Sequence, residues 1–130
     1  MTPELAALAA TALIHVVAVM WSQSSLEADV GRKANVGTRH NLDQRLSERT
    51  LRLRRALHNH VENTGLFIIA VILVQFTASS GWFTGLCAWV FVVARAIYLP
   101  AYAFGWVPWR SYIFMAGFMA CAAMIVASFF

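Results

Sequence analysis

The sequence predicts an all-α integral membrane protein, a single domain over residues 1–130 in which four helices cross the bilayer as a bundle. Three observations predict it. First, 60% of the 130 residues are hydrophobic and 12% are charged, where soluble domains run at about 45–50% and about 25%. A chain this short has too little interior to hide that much apolar side chain from water. Second, the apolar residues fall into four long runs. Third, the charge is segregated, because eight of the ten Lys and Arg lie between Arg32 and Arg55. A basic block of this kind suits acidic lipid or nucleic acid. Without an RNA- or DNA-binding motif beside it, it reads as a cytoplasmic segment obeying the positive-inside rule, with no nucleic-acid partner.

The first span covers residues 4–22, with Pro3 suited to the first helical turn. The N-terminus lacks the basic region of a cleavable signal, so this run reads as a span. His15 is its one polar intruder. With no acidic neighbour at i±3 or i±4, it reads as an interhelical hydrogen-bonder. Residues 23–55 form the basic cytoplasmic segment, and Gly31 and Gly37 mark its first half, to about Asn41, as a loop. From Asp43, leucines recur among charges without Gly or Pro. That pattern predicts a helix starting in water, with Asn41 as a possible cap, and running on into the membrane.

The second span is residues 56–78, and Ala78-Ser79-Ser80-Gly81 is an uncharged turn that fits the opposite side. The third span is 82–104, Gly105-Trp106-Val107-Pro108 the next turn, and the fourth span 109–130. Trp21, Trp82, Trp106 and Trp109 fall near span ends, where indole rings favour the headgroup layer. Both termini then face away from the cytoplasm. Cys87 and Cys121 sit in apolar runs with no second Cys or His at ligand spacing, so they read as small buried hydrophobes, and no metal site is expected.

A charge at membrane depth is costly, so it should face the bundle interior and find a partner. Glu62, Arg95 and Arg110 are the clear cases. Arg55, Asn59 and Glu62 are spaced i, i+4, i+7 and share one helical face. Arg95, Tyr98 and Tyr102, at i, i+3, i+7, share another, and Arg110 and Ser111 open the fourth span. All three sets lie toward the cytoplasmic side. Arginine forks, an amide, two phenols and one carboxylate suit a small zwitterion that carries carboxylates. The competing reading is interhelical glue, with Glu62 and Arg95 as a plain buried ion pair. Ala116, Gly117, Ala120, Cys121 and Ala123 form a small-residue face that reads as close helix packing.

The segment Arg55-Ala56-Leu57-His58-Asn59-His60-Val61-Glu62-Asn63, followed by Phe67, then Arg95-x-x-Tyr98-x-x-x-Tyr102 and Arg110-Ser111, resembles the MAPEG family, the membrane-associated proteins of eicosanoid and glutathione metabolism. The resemblance is to the bacterial-type members. It implies a homotrimer of four-helix subunits in a bacterial inner membrane, with glutathione as co-substrate held between subunits on the cytoplasmic side, in contact with membrane lipid. The implied activity is glutathione transfer to a lipophilic substrate, peroxide reduction or isomerisation of lipid endoperoxides. Arg55, Asn59, Glu62, Tyr98 and Tyr102 would hold glutathione, with Arg32 a further contact. Arg110 would stabilise the thiolate, assisted by Ser111, and Arg95 and His15 would be structural polar residues. The sequence departs from the family pattern at His58, His60, Gly65 and Phe114; the last is Tyr in the prostaglandin E synthase branch. A non-enzymatic accessory subunit or lipid-binding trimer of the same fold is the alternative. A transporter or channel subunit is a weaker one, lacking broken spans and inverted repeats.

Overall fold

A computed structural model describes all of residues 1–130. The protein is entirely helical: α1 (Pro3–Val30), the short α2 (Arg32–Val36), a 3₁₀ turn at Leu42–Arg45, α3 (Glu48–Phe76), α4 (Trp82–Ala103) and α5 (Trp109–Ala127). The four long helices are each long and apolar enough to cross a membrane, and the protein is an integral membrane helical bundle. α3 and α4 each pack against all three other long helices. α4 is central, with 56% of its apolar stretch buried against 17–28% for the others. The outward faces of the apolar stretches of α1 and α5, and of residues 68–76 of α3, are apolar and unpaired within one chain, as a lipid-embedded surface requires.

Two helix boundaries differ from the sequence expectation. α1 does not end at residue 22 but continues eight residues further, because Gln23–Asp29 contains no breaker and Gly31, at φ 84°, is the first residue that forces a turn. The polar composition of this stretch suggests a loop, but polarity does not end a helix that has left the membrane. Asn41 does not cap α3. It adopts a left-handed conformation before the 3₁₀ turn, and the Ser47 side chain accepts from Thr50 N at 3.3 Å instead.

A carboxylate clasp holds each end of α1. At the end near the basic segment Asp29 Oδ2 accepts from Ser47 N (2.9 Å), Ser47 Oγ (2.9 Å) and Thr50 Oγ1 (2.6 Å). It places an anion at the N-terminus of α3, where the helix dipole favours one. At 1.5 Å per residue, the 28-residue α1 is about 42 Å long, so Asp29 stands beyond a hydrocarbon core of about 30 Å. At the other end the fully buried Glu4 accepts from Ser80 Oγ (2.8 Å) and from Thr84 Oγ1. Gly85 allows the close approach there, since a Cβ on it would stand 3.0 Å from Pro3 Cβ. Gly117 does the same between α4 and α5, where a Cβ would lie 3.1 Å from Ala94 Cβ. Gly117, Ala120 and Cys121 are buried as the small-residue face requires, whereas Ala116 is exposed. Cys87 and Cys121 are both free and buried.

The core divides in two. The apolar cluster on the side of the termini includes Ala7, Phe67, Val71, Phe91, Cys121 and Met124. The one on the side of the basic segment includes Ala18, Leu53, Ala56, Tyr98 and Leu99. In chain order His15 on α1, Asn59, His60 and Thr64 on α3, and Arg95 on α4 all fall between the two clusters. A polar layer thus crosses the bundle.

The hydrogen bonds to Asp29, led by that from Thr50, hold its carboxyl below the ordinary value of 3.8. A folded-state pKa below the unfolded one contributes stability above the unfolded pKa and loses it as pH falls through the folded value. The thermal midpoint of the purified protein should therefore drop as pH is lowered below about 4. Asp29→Asn should remove that component of the pH dependence. An unchanged pH profile in the variant would show that the clasp contributes nothing.

Candidate functional site

The polar layer opens into a cavity of about 330 Å³ lined by Asn59 of α3, Tyr98 and Tyr102 of α4, and Arg110, Ser111, Phe114 and Met115 of α5. Helical periodicity explains the grouping. Tyr98 and Tyr102 are one turn apart, as are Arg110 with Phe114 and Ser111 with Met115. Side-chain chemistry alone gives Phe114 and Met115 no place in a site. Their i+4 relation to Arg110 and Ser111 is the signal that points to them.

Arg95 lies behind this cavity with 2% of its surface exposed. Its Nη1 donates to Asn59 Oδ1 at 3.1 Å, and its guanidinium lies 4.4 Å from the centre of the Tyr98 ring and 5.8 Å from that of Phe114. Nε has no partner, and no carboxylate pairs with it. Glu62, its partner in the competing reading of the sequence, is elsewhere: it is exposed on the outer face of α3 and pairs with His58 at 3.2 Å. The Glu62–Arg95 ion pair is thus replaced by a cation held by one amide and aromatic faces. Glu62 lies three residues from Asn59, far enough round the helix to leave the interior.

The Asn59 amide has a defined orientation. Its Oδ1 accepts from Arg95 Nη1 and from Asn63 Nδ2, the latter at 3.3 Å. That leaves Nδ2, the donor end, for the cavity. Arg110 is half-buried, stacks over Tyr102 at 4.7 Å and has no carboxylate partner. The Tyr98 and Tyr102 rings stand 5.7 Å apart. The cavity therefore offers an amide N–H₂, a guanidinium and three hydroxyls, with no acidic side chain in its lining. Such a set takes an anion.

Of the sequence-predicted residues, Asn59, Tyr98, Tyr102, Arg110 and Ser111 come together here. Arg95 supports them from behind. Arg55 and Glu62 are exposed and do not line the cavity, and Arg32 is exposed on α2, also outside it. His15 stacks on His60 with ring centres 5.5 Å apart, and its buried Nδ1 has no hydrogen-bond partner. The contact is interhelical but is ring stacking, where the sequence reading expects a hydrogen bond from His15; His60 Nε2 meets Thr64 Oγ1 at 3.3 Å.

The model of the MAPEG family matches residues 4–130, essentially the whole chain. No curated protein and no solved structure matches it.

A buried cation without a counter-ion carries a desolvation penalty of several kcal/mol. The Asn59 hydrogen bond, to a charged donor, returns about 1.5–3 kcal/mol and the aromatic faces about 1–2 kcal/mol, which at most offsets that penalty. Arg95→Met should therefore leave the thermal midpoint of the ligand-free protein equal to the wild type or higher. A loss of more than about 3 kcal/mol, the usual result of breaking a buried pair, would identify Arg95 as structural glue.

Proposed function

We propose that this chain, which belongs to the MAPEG family of helical membrane bundles, binds glutathione at the cytoplasmic end and presents its thiolate to lipophilic electrophiles, as a membrane-bound transferase or peroxidase. The family supports a glutathione- or eicosanoid-related function at that general level. The observation that carries the finer reading is the cavity of donors without acids, backed by an unpaired buried arginine. A tripeptide with two carboxylates and a thiol suits that donor set.

In this reading Asn59 Nδ2, Tyr98 and Tyr102 hold carboxylate and backbone oxygens, and Arg110 faces the sulfur. Ser111 donates a further hydrogen bond. A free thiol has a pKa of about 8.5 and is about 3% ionised at pH 7. A guanidinium at about 4 Å, at an effective dielectric of 20, is worth up to about 4 kcal/mol to the anion. Half of that lowers the pKa by about 1.5 units and brings the thiolate to about half of the total at pH 7. In conjugation the thiolate sulfur forms a bond to the electrophilic carbon, and the leaving group departs with its electron pair. The thiol proton has already passed to solvent. Phe114, Met115 and the membrane around α4 and α5 favour an apolar second substrate.

Arg55 and Glu62 fit a larger site completed by a neighbouring subunit. A carboxylate on the outer face of a spanning helix is costly against lipid and tolerable against a protein partner. The proposal therefore includes a homotrimer, with Arg55 and Glu62 as glutathione contacts across its interface and Arg32 as a weaker one. The basic segment faces the cytoplasm of a bacterial inner membrane in this arrangement, with both termini opposite. The engagement of Glu62 by His58 favours the second reading, a non-enzymatic accessory subunit or lipid-binding trimer. A stable large partner on purification would support it, and bound tripeptide the enzyme.

Detergent-purified protein should conjugate glutathione to a chlorinated dinitrobenzene. Arg110→Ala should lower kcat/KM at pH 7 by about tenfold or more and move the pH–rate profile upward by about one to two units, as loss of about 2 kcal/mol from the thiolate requires. Arg110→Lys should restore part of both. An Arg110→Ala enzyme with unchanged rate and profile would remove Arg110 from the chemistry.

A further inference from the structure

The basic segment forms a second cavity, remote in sequence from the lining of the first. It measures about 410 Å³ and is walled by Lys33, Arg39, His40 and Arg45 over a floor that includes Val30 and Leu42. No acidic residue lines it. Three of the acids of the neighbouring chain are engaged elsewhere: Asp29 with Ser47 and Thr50, Asp43 with Arg54 at 3.7 Å, and Glu48 with Arg52 at 3.4 Å; Glu27, one turn before Val30, does not line the cavity. None of the four basic side chains of the cavity is paired with a carboxylate.

A diffuse positive-inside segment would leave its cations splayed in solvent. Arg39 is fixed instead. Its Nε donates to Asn35 O and its Nη2 to Asn35 Oδ1, both at 2.8 Å, across a backbone held at φ 59°. Nη1 is left over, and Thr38 adds a hydroxyl to the same lining. Three separate stretches of chain, around Lys33, Arg39 and Arg45, bring their positive ends to one hollow.

We propose that this hollow is a binding site for a phosphate group, carried either by an anionic phospholipid headgroup or by a small soluble phosphate. A braced guanidinium, two mobile cations and a hydroxyl match the charge and the acceptor oxygens of phosphate. The site lies on the basic side of the bundle, where α1 has passed out of the hydrocarbon, and long Lys and Arg side chains can reach back to a headgroup. It is independent of the glutathione reading, because the two linings share no residue.

The test uses the full chain in detergent at low salt. Dioctanoyl phosphatidylglycerol and dioctanoyl phosphatidylcholine are titrated with native mass spectrometry as the readout, and inorganic phosphate with calorimetry. Phosphatidylglycerol binding with phosphatidylcholine excluded supports the lipid source, and inorganic phosphate binding at comparable affinity supports the soluble one. In either case Lys33→Gln/Arg45→Gln should weaken binding by about 25-fold, about fivefold per cation. Both residues are exposed and have no ion-pair partner, so this variant should keep the wild-type thermal midpoint. Arg49→Gln removes a cation of the same segment that stacks on Phe104 outside the cavity, and should leave binding unchanged. Equal weakening by Arg49→Gln, no weakening by the double variant, or no phosphate-bearing ligand bound at all would each overturn the proposal.

Discussion

The burial of Arg95 without a carboxylate is the constraint on which the rest of the bundle turns. A guanidinium in the middle of four apolar helices costs several kcal/mol wherever it sits. Here it meets one amide oxygen and the faces of Tyr98, Phe91 and Phe114. Those contacts offset part of the cost and leave a positive field behind the cavity. They also fix the Asn59 amide so that its donor end faces outward. The two apolar clusters above and below complete the arrangement by keeping the polar layer thin.

Helices in lipid gain little from apolar burial against one another, because the tails are as apolar as leucine. Close backbone approach and polar contacts must hold the bundle. The approach is visible at Gly85 against Pro3 and at Gly117 against Ala94. The polar contacts are at the ends, where Glu4 ties α1 to the start of α4 and Asp29 ties it to the start of α3. With both ends of α1 fastened, the polar layer in the middle need not serve as glue. That division of labour is what lets Arg110 line the cavity, and Arg95 stand behind it, without a carboxylate partner.

Much of the fold and most of the cavity are legible in the sequence, and the reasons are specific. Arg95, Tyr98 and Tyr102 share a face by helical spacing, and Arg110 with Ser111 opens the next helix. Spacing alone therefore groups most of the cavity lining. The family resemblance rests on the same residues and holds across the chain. Spacing fails for Glu62, because a shared face does not say which edge of that face turns inward. Composition fails for α1 beyond residue 22, where the absence of a breaker matters more than the change in polarity. Nothing local marks Glu4 as a clasp, because its partners, Ser80 and Thr84, are nearly eighty residues away. His15 and His60 likewise meet only through the packing of α1 on α3.

In the proposed function these features serve one purpose: an anion-seeking cavity that holds a thiol and ionises it. Calorimetric titration of glutathione into the purified protein at pH 7, repeated in buffers of different ionisation enthalpy, tests this directly. The predicted result is saturable binding accompanied by release of a substantial fraction of a proton, as the bound thiol becomes thiolate. Absence of binding at millimolar glutathione, or binding with no proton released, would contradict it.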